Sequence, residues 1–265
     1  MAEPLVPSEG WGVLHLFHKV DHVRAAAASP GDVKHLVDVL DELADATQLH
    51  LFSVLGHKAD TMTMLLEPDV ARLRAFQTRL DAAGAACGLD LDWSYLSITE
   101  GSEYSPTPEQ YRQDMAAKVD DEERLDRMVE EFRERMAKYT ENKVHPRMPE
   151  WELACFYPMS HRRLGEDNWY SLDFDRRREL MGEHGKSGRA YTGRVLQLVT
   201  GSTGLDDWEW GVTLFSHDLY DLKDIVYTLR YDEASARFAE FGPFLIGIRR
   251  SPAELVAELG LPDPA

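Results

Sequence analysis

The chain has 265 residues, of which 43% are hydrophobic and 29% are charged, a composition typical of a globular protein. This composition excludes disorder over most of the length. The 47 acidic residues outnumber the 29 basic ones and give a net charge of −18. Such a surface repels phosphate backbones and anionic lipids, so the sequence argues against nucleic acid and membrane surfaces as partners. An anionic substrate requires a local basic pocket.

The two cysteines, Cys87 and Cys155, are too few for a disulfide framework and do not form a CxxC pair. Both are expected to be buried thiols in a reducing compartment. No run of the sequence reaches the roughly 18 apolar residues of a membrane-spanning helix. Residues 1–10 lack the basic and apolar segments of a signal peptide. We therefore expect a cytoplasmic protein.

Residues 1–106 follow the element order of a ferredoxin-like unit, which is strand, helix, two strands, helix, strand. Apolar runs with partial alternation predict the strands, and apolar stripes at helical spacing predict the helices. The predicted elements are a strand at 11–20, a helix at 32–47 with Asp32 as its N-cap, strands at 49–56 and 60–66, a helix at 69–86 and a strand at 91–99. The two central strands are expected to form a hairpin.

Residues 107–149 are predicted to be a helical linker. Within 107–139, Glu and Arg recur at helical spacing, while Leu125, Val129 and Phe132 lie on an apolar stripe. This pattern predicts a helix that is largely exposed, with its charges on a solvated face.

Residues 150–265 repeat the element order of the first half. The predicted elements are strands at 151–158, 194–200, 208–216 and 243–249, helices at 174–184 and 233–240, and a helix at 218–229 that runs into a strand. Two tandem ferredoxin-like units predict an α+β fold in which the sheets pair into one dimeric α+β barrel, with the helices outside.

The sequence has no GxGxxG, P-loop, HExxH or GxSxG motif, which removes the commonest nucleotide, zinc and serine-hydrolase sites. Its ten histidines form no zinc pattern. Aromatic, sulfur, basic and histidine side chains are densest at 155–197, where His184 precedes Gly185 on a predicted helix. On this pattern alone, a single helical histidine is more often a surface or capping residue than a metal ligand.

Five segments in this half together resemble the coproheme decarboxylases of the chlorite dismutase-like family. They are YPMSHRR (157–163), NWY (168–170), LMGEHGKSGRAYTGRVLQ (180–197), GLDDWEWGVTLF (204–215) and LRYDEASARFAEFGPFLIG (229–247). The Ala, Arg and Asp content and the histidines considered below point to the actinobacterial type. The resemblance implies a barrel of two ferredoxin-like units that assembles as a homopentamer, in agreement with the element order.

The resemblance implies that Fe-coproporphyrin III (coproheme) is both the substrate and the redox centre, with hydrogen peroxide as the oxidant. His184 matches the family's proximal iron ligand, and such an imidazole needs a partner on its second nitrogen. Tyr157 matches the tyrosine that becomes a radical. Oxidation passed from Tyr157 removes the carboxylates of propionates 2 and 4 as carbon dioxide and leaves vinyl groups, which gives haem b.

Gln197 is the residue that best separates the activities within the resemblance. Chlorite dismutases carry arginine at the corresponding position, and its charge stabilises oxyanion intermediates, which an amide cannot do. Gln197 therefore argues against chlorite chemistry. Met159 shares a strand face with Tyr157 and is expected to form a wall of the pocket. Trp169 is expected in the core, where it is the tryptophan suited to relay or absorb a radical.

The four carboxylates of the substrate require hydrogen-bond donors. By the same resemblance, Arg230 and Ser235 are expected to contact propionates, and Lys143 and His161 occupy positions where relatives carry arginine and lysine. Actinobacterial members use a distal histidine as a base, and an imidazole titrating near pH ~6.5 suits that role. His145 is the candidate for this base, and His161 is the alternative.

Three alternatives to the decarboxylase remain open from the sequence. A carrier or sensor would bind haem through the same ligand without turnover, and a chlorite dismutase or peroxidase would use it for other chemistry. A structural or interaction protein would not bind iron coproporphyrin at all. The decarboxylase hypothesis also predicts transient contact with the iron chelatase that supplies coproheme.

Overall fold

The structure is a computed structural model that describes residues 3–264, so the outermost residues of the two predicted units, 1, 2 and 265, lie outside the described range. The strands in this range are β1 (Gly12–Val20), β2 (Gln48–Leu55), β3 (Thr61–Glu67), β4 (Leu89–Thr99), β5 (Leu153–His161), β6 (Val195–Gly201), β7 (Trp210–Ser216), β8 (Ala239–Phe241) and β9 (Leu245–Arg250). The α-helices are α1 (His22–Ala27), α2 (Pro30–Ala46), α3 (Val70–Ala86), α4 (Pro108–Ala116), α5 (Glu122–Val144), α6 (Phe174–Arg189), α7 (Leu219–Leu229), α8 (Glu233–Phe238) and α9 (Pro252–Glu258).

Eight of the strands form one antiparallel barrel. Their order is β7-β6-β4-β1-β3-β2-β9-β5, and β5 pairs back to β7, while β8 pairs with the end of β5. Counted within each half, both halves place their strands in the order fourth, first, third, second, which is the order of a ferredoxin-like sheet. The predicted α+β fold, with two tandem units pairing into one barrel, is confirmed.

The barrel has two apolar layers because each strand turns alternate side chains inward and outward. The interior is filled by large side chains from both halves, such as Phe17, Phe52, Phe156 and Phe215. The outer face of the first half is covered by α2, α3 and α9, and that of the second half by α6, α7 and α8. The helices therefore lie outside the barrel, as predicted.

Helix α2 begins two residues earlier than its predicted N-cap. Ser29, not Asp32, is the N-cap, because its hydroxyl accepts a hydrogen bond from the backbone N–H of Asp32 and the carboxylate of Asp32 accepts one from the N–H of Ser29. Pro30 follows at the first helical position, where a missing N–H costs nothing. The prediction of Asp32 as the N-cap is therefore wrong. Asp32 is the third residue of the helix and forms a capping box with the true N-cap, Ser29.

Three other predicted elements differ from the structure. The linker contains two helices, α4 and α5, because residues 117–121 interrupt the pattern and Asp121 caps a second start. Helix α6 continues beyond His184 to Arg189, through Gly185 and Gly188. Helix α7 does not run into a strand: its end at Leu229 is followed by Asp232, which caps α8.

Two short helices, α1 and α9, were not predicted. Their apolar faces are narrow, with only Ala25 buried in α1 and Leu255 and Val256 buried in α9. Within the described residues, none of the helices combines the length and apolar character needed to cross a bilayer.

Candidate functional site

Three neighbouring strands of the second half, β5, β7 and β6, bring predicted site residues onto one outer face. Tyr157 on β5 stands opposite Val212 on β7, which stands opposite Val199 on β6. One row away on the same face, Leu214 on β7 stands opposite Gln197 on β6. Because adjacent strands are about 4.8 Å apart, the strands that carry Tyr157 and Gln197 are separated by about 10 Å.

Tyr157 is 5% exposed and lies under an aromatic cover. Its ring centroid is 4.6 Å from that of Phe244 and 5.7 Å from that of Phe241. Burial raises the pKa of the Tyr157 phenol well above its ordinary value, and the adjacent Cys155 adds to the increase. The phenol therefore keeps its proton at neutral pH, and losing an electron requires a base close by to take that proton.

Gln197 reaches across to helix α6 at Gly188. A Cβ built on Gly188 would lie 3.1 Å from Nε2 of Gln197, closer than an ordinary contact. Glycine at this position therefore leaves room for the Gln197 amide against the helix. His184 lies one turn earlier on the same side of α6. The amide of Gln197 and the imidazole of His184 thus belong to one region between α6 and the sheet.

His184 is held by a carboxylate from the start of α8. Its Nδ1 lies 3.0 Å from Oδ2 of Asp232, whose side chain is 7% exposed. Burial opposes the charge on Asp232, but the hydrogen bonds from His184 and from the Ser235 N–H outweigh it and hold the pKa of Asp232 below its ordinary value. An ionised Asp232 only accepts, so Nδ1 of His184 donates, which leaves Nε2 as the ring nitrogen that can bind a metal.

Helix α6 packs only loosely against the sheet. Leu180 is its one buried residue, and the helix packs mainly against α7 and α8 rather than against the strands. Gly188, on the same side of α6 as His184, keeps the helix surface low there. No group of three or more His, Cys, Asp or Glu side chains in residues 3–264 is arranged to hold a metal ion. The iron of a porphyrin is already bound by four nitrogens of the ring. Such an iron needs only one ligand from the protein, and the imidazole of His184 can provide it.

His161 lies on the same strand as Tyr157, four residues further along, and is 8% exposed. Its ring stacks on Trp169 with the centroids 4.2 Å apart, and the ring of Trp210 lies nearly perpendicular to it with the centroids 5.0 Å apart. Burial lowers the pKa of His161 to about 4, the neighbouring Glu209 opposes this, and His184 adds to it. The imidazole is therefore neutral at pH 7, and its buried Nδ1 has no hydrogen-bond partner within the described residues.

Lys143 and His145 lie apart from this face, at the end of α5. His145 is 38% exposed, its Nδ1 is 2.8 Å from Glu141, and its ring lies 5.1 Å from that of Trp11 in the first half. Burial lowers the pKa of the Lys143 ammonium. The structure therefore brings His161, but not His145, onto the strand face that carries Tyr157.

Arg230 and Ser235 flank the residues that hold His184. Arg230 follows α7 and lies over the exposed rings of Tyr227 and Tyr231, 3.9 and 4.9 Å from their centroids. The Ser235 hydroxyl is 3.3 Å from Oδ2 of Asp232 and 3.4 Å from Nδ1 of His184, so it supports that pair. The propionate contacts predicted for both residues stay predictions.

Asp232 is the site residue that sequence reasoning missed. Its place before a short helix, three residues from Ser235, is a readable N-cap signal. That signal explains the contact with the Ser235 N–H, but the contact with His184 joins residues 48 positions apart. Only the packing of α8 against α6 brings them together.

The chain belongs to the chlorite dismutase family. The family model for chlorite dismutase matches residues 30–250. A coproheme decarboxylase from Thermus thermophilus is 38% identical over 98% of this chain and 98% of its own length. A coproheme decarboxylase from Oceanobacillus iheyensis is 33% identical over 98% of this chain and 100% of its own length.

Other relatives carry less specific names. A putative heme-binding protein from Natronomonas pharaonis is 38% identical over 96% of this chain, which spans 41% of that relative's length. Among solved structures, a heme-binding protein from Thermus thermophilus superposes with a TM-score of 0.77 at 37% identity, covering 98% of this chain and 100% of that one. A mutant chlorite dismutase from Candidatus Nitrospira defluvii, at 18% identity and a TM-score of 0.70 over 96% and 97% of the chains, shows the same fold.

Proposed function

We propose that the protein is a coproheme decarboxylase, which converts iron coproporphyrin III to haem b with hydrogen peroxide. The observation that carries the proposal is the His184–Asp232 pair, 3.0 Å apart, which leaves Nε2 of the imidazole available to the iron of the substrate. Relatives named coproheme decarboxylase match the chain over nearly its whole length. Tyr157 and Gln197 on the facing strands supply the features that favour decarboxylation over other haem chemistry.

For this reaction, the protein has to hold the porphyrin in place and provide one side chain that can be oxidised. Each round takes a propionate, one proton and one hydrogen peroxide, and yields a vinyl group, one carbon dioxide and two water molecules. The iron, when bound, would carry the oxidising power of the peroxide. His184 would hold the porphyrin from the α6 side, and Tyr157 would give up one electron and its proton and recover both as a hydrogen atom from the propionate side chain. The second electron of the propionate would return to the oxidised substrate as carbon dioxide leaves.

The burial of Tyr157 supports this role. A phenol with a raised pKa stays protonated, so its oxidation releases an electron and a proton together. His161 lies on the same strand face, about 13 Å along the strand from Tyr157, and its buried Nδ1 has no partner among the described residues, whereas His145 lies apart from this face. We therefore favour His161 over His145 as the base.

Gln197 separates the proposal from chlorite dismutation. Its amide lies at the α6 side of the site, against Gly188, and brings no charge for an oxyanion. A haem-binding protein without turnover is the second candidate, favoured by the names of the haloarchaeal relatives. Such a protein needs His184 and Asp232 but has no use for the phenol of Tyr157.

The decisive experiment titrates the protein with iron coproporphyrin III, adds hydrogen peroxide and follows the porphyrin by mass spectrometry. The proposal predicts two successive losses of a formic-acid equivalent per substrate. Tyr157→Phe should still bind the porphyrin, with an unchanged Soret band, but should lose the conversion. Binding without any mass loss in the parent protein would instead establish a carrier.

Tyr95→Phe is the matched control for Tyr157→Phe. Tyr95 is also a buried tyrosine, but it lies inside the barrel, where its hydroxyl bonds that of Ser202. Losing that hydrogen bond should cost about 1 kcal/mol of stability and leave the conversion intact. Equal loss of conversion in both variants would trace the effect to the fold rather than to the phenol.

Several finer features of the proposal stay predictions. The homopentamer, the cytoplasmic location, contact with an iron chelatase and the boundaries of the two units at 106 and 149 follow from the sequence resemblance and the element order. The actinobacterial type also stays a prediction, since the relatives compared come from Thermus, Oceanobacillus and haloarchaea. Contacts of Lys143, Met159, Arg230 and Ser235 with the substrate belong to the same group.

A further inference from the structure

Four aromatic rings form a continuous stack that leads from the candidate site to the outside of the barrel. The ring centroids of Trp210 and His161 are 5.0 Å apart with the planes at 77°, and His161 stacks on Trp169 at 4.2 Å with the planes only 8° apart. Trp169 then meets Tyr104 edge to face, with the centroids 6.4 Å apart. We call the pair formed by Trp169 and Tyr104 the outer pair.

The indole of Trp169 lies beside the part of α6 that carries His184. Trp169 is 2% exposed and packs in one cluster with Leu180, which is one turn before His184 on α6, and with Phe238 on α8. His184 also contributes to the lowered pKa of His161, as expected for close neighbours. An oxidised ligand bound to His184 would therefore lie near an indole that is already packed for electron transfer.

At the outer end, the carboxylate of Glu103 acts on the phenol of Tyr104. Tyr104 is half-buried in the segment that follows β4, and its ring stacks on Phe174 at 5.8 Å. Burial, and then the carboxylate of Glu103, raise the pKa of Tyr104, while Arg177 opposes them. Because Glu103 can take the proton as the phenol loses an electron, Tyr104 is suited to reversible oxidation.

We propose that the outer pair carries oxidising equivalents from the site to the protein surface, an inference that rests on the proposed function. Trp169 gives one electron to the peroxide-oxidised substrate. Tyr104 gives one electron to the oxidised indole, and its hydroxyl proton passes to Glu103. A small phenol or thiol in solution then returns an electron to Tyr104, and Glu103 returns the proton. The route disposes of oxidation that fails to reach a propionate, which protects the porphyrin and the sulfur of Met159.

The test maps oxidation residue by residue. The protein is loaded with haem b, which is the reaction product, treated with hydrogen peroxide without a reductant, digested and analysed by peptide mass spectrometry. We expect oxygen incorporation at Trp169, and oxidation or dityrosine formation at Tyr104. Trp151, which is half-buried against His217 in another part of the molecule, is expected to stay unmodified. Equal oxidation at Trp151 and the outer pair would overturn the proposal.

Variants test the order of transfer. Trp169→Phe should reduce oxidation of Tyr104 to the level seen without haem, and Tyr104→Phe should increase oxidation of Trp169, because the hole is no longer passed on. Trp169→Tyr, which keeps an oxidisable ring, should restore oxidation of Tyr104. Trp151→Phe is the matched control and should change neither. Unchanged oxidation of Tyr104 in Trp169→Phe would overturn the relay.

Two parallel measurements separate this inference from the proposed function. The Soret band and thermal unfolding of each loaded variant show whether it folds and binds haem. Conversion of iron coproporphyrin III is measured separately, and Tyr104→Phe, which changes a residue away from His161 and Tyr157, is expected to retain it. A protein that converts coproheme while the outer pair stays unmodified overturns the relay alone. One that oxidises the outer pair without converting coproheme overturns the decarboxylase and supports the relay in a haem peroxidase.

Discussion

The two halves of the barrel share one strand order and differ in how their helices meet the sheet. In the first half, α2 buries Val33, Leu36, Val39, Leu40 and Leu43 against the strands. In the second half, the single buried residue of α6 is Leu180. The same topology therefore supports a closely packed helix at α2 and a loosely packed one at α6, while α7 fills a core of its own in the second half. The candidate site lies beside the loosely packed helix.

This difference makes α6 less stable than α2 in the absence of a ligand. A helix in a protein is stabilised mainly by the packing of its apolar face. Helix α6 has little such packing, and Gly182, Gly185 and Gly188 cost it about 1 kcal/mol each relative to alanine. A ligand held by His184 between the helix and the strands would supply the missing packing. We therefore expect α6 to depend on a ligand in a way that α2 does not.

Replacing the histidine on each of these helices should give the largest contrast. His184→Ala removes the nitrogen offered to the iron, so the Soret band of a histidine-ligated porphyrin and the conversion of coproheme should both be lost. His35 is exposed on α2 and is the matched control, since His35→Ala should leave both unchanged. Titration of each variant with iron coproporphyrin III measures the contrast. Retained histidine-type ligation in His184→Ala would place the iron ligand elsewhere.

Truncating an apolar side chain on each helix should give the next largest contrast. Leu36→Ala in the filled core should lower the free energy of unfolding by about 2–5 kcal/mol, because it leaves a cavity. Met181 is only half-buried on α6, so Met181→Ala should cost about 1 kcal/mol or less in the ligand-free protein. Urea unfolding of both variants tests this, and equal losses would contradict the comparison.

A pH dependence should mark the region where the halves meet inside the barrel. Nε2 of His15 in β1 lies 3.1 Å from Oγ1 of Thr213 in β7. Burial lowers the pKa of His15 from 6.5 to about 3, so the unfolded chain binds a proton first as the pH falls. Above pH ~6.5, the titration of His15 does not change the free energy of unfolding. Below that pH, each pH unit lowers the free energy of unfolding by up to about 1.4 kcal/mol, until the pKa of His15 in the folded protein is reached.

Urea unfolding at several pH values between about 7 and 5 measures this slope. His15→Gln has no titrating group at this position, so its stability should fall less steeply over the same range. The slope is the quantity compared, because the substitution also changes the packing against Phe156. An identical slope in both proteins would show that another group causes the pH dependence.

Much of the fold could be predicted from the sequence because the apolar patterns are local and repeated. The hairpin β2–β3 and the stripes of α2 and α3 are periodic over enough residues to be read directly. Helix boundaries were harder to predict. Helix α6 continues through Gly185 and Gly188, and no strand follows α7 where one was expected. Contacts with neighbouring helices decide such boundaries, and the local pattern does not contain them.

The site was predictable only where residues share one element. Tyr157, Met159 and His161 alternate along β5, so their common face follows from the strand period. The partner of His184 did not follow, because Asp232 reaches it from another helix. The stacking of His161 on Trp169 was equally hidden, since two short turns bring Trp169 back over the strand. Long-range packing of this kind leaves no mark in the spacing of residues.

The closed arrangement of the strands restricts how copies of the chain can join. A sheet edge with unpaired N–H and C=O groups invites strand addition. Here the strand that begins each half lies between two neighbours, and β5 pairs with β7, β8 and β9. Open backbone edges remain at β8 and along the seam where β4 and β6 pair at only two positions. We therefore expect association into the predicted homopentamer to use mainly side chains on helices and loops. Ring assembly would then leave the backbone hydrogen bonds of each barrel intact.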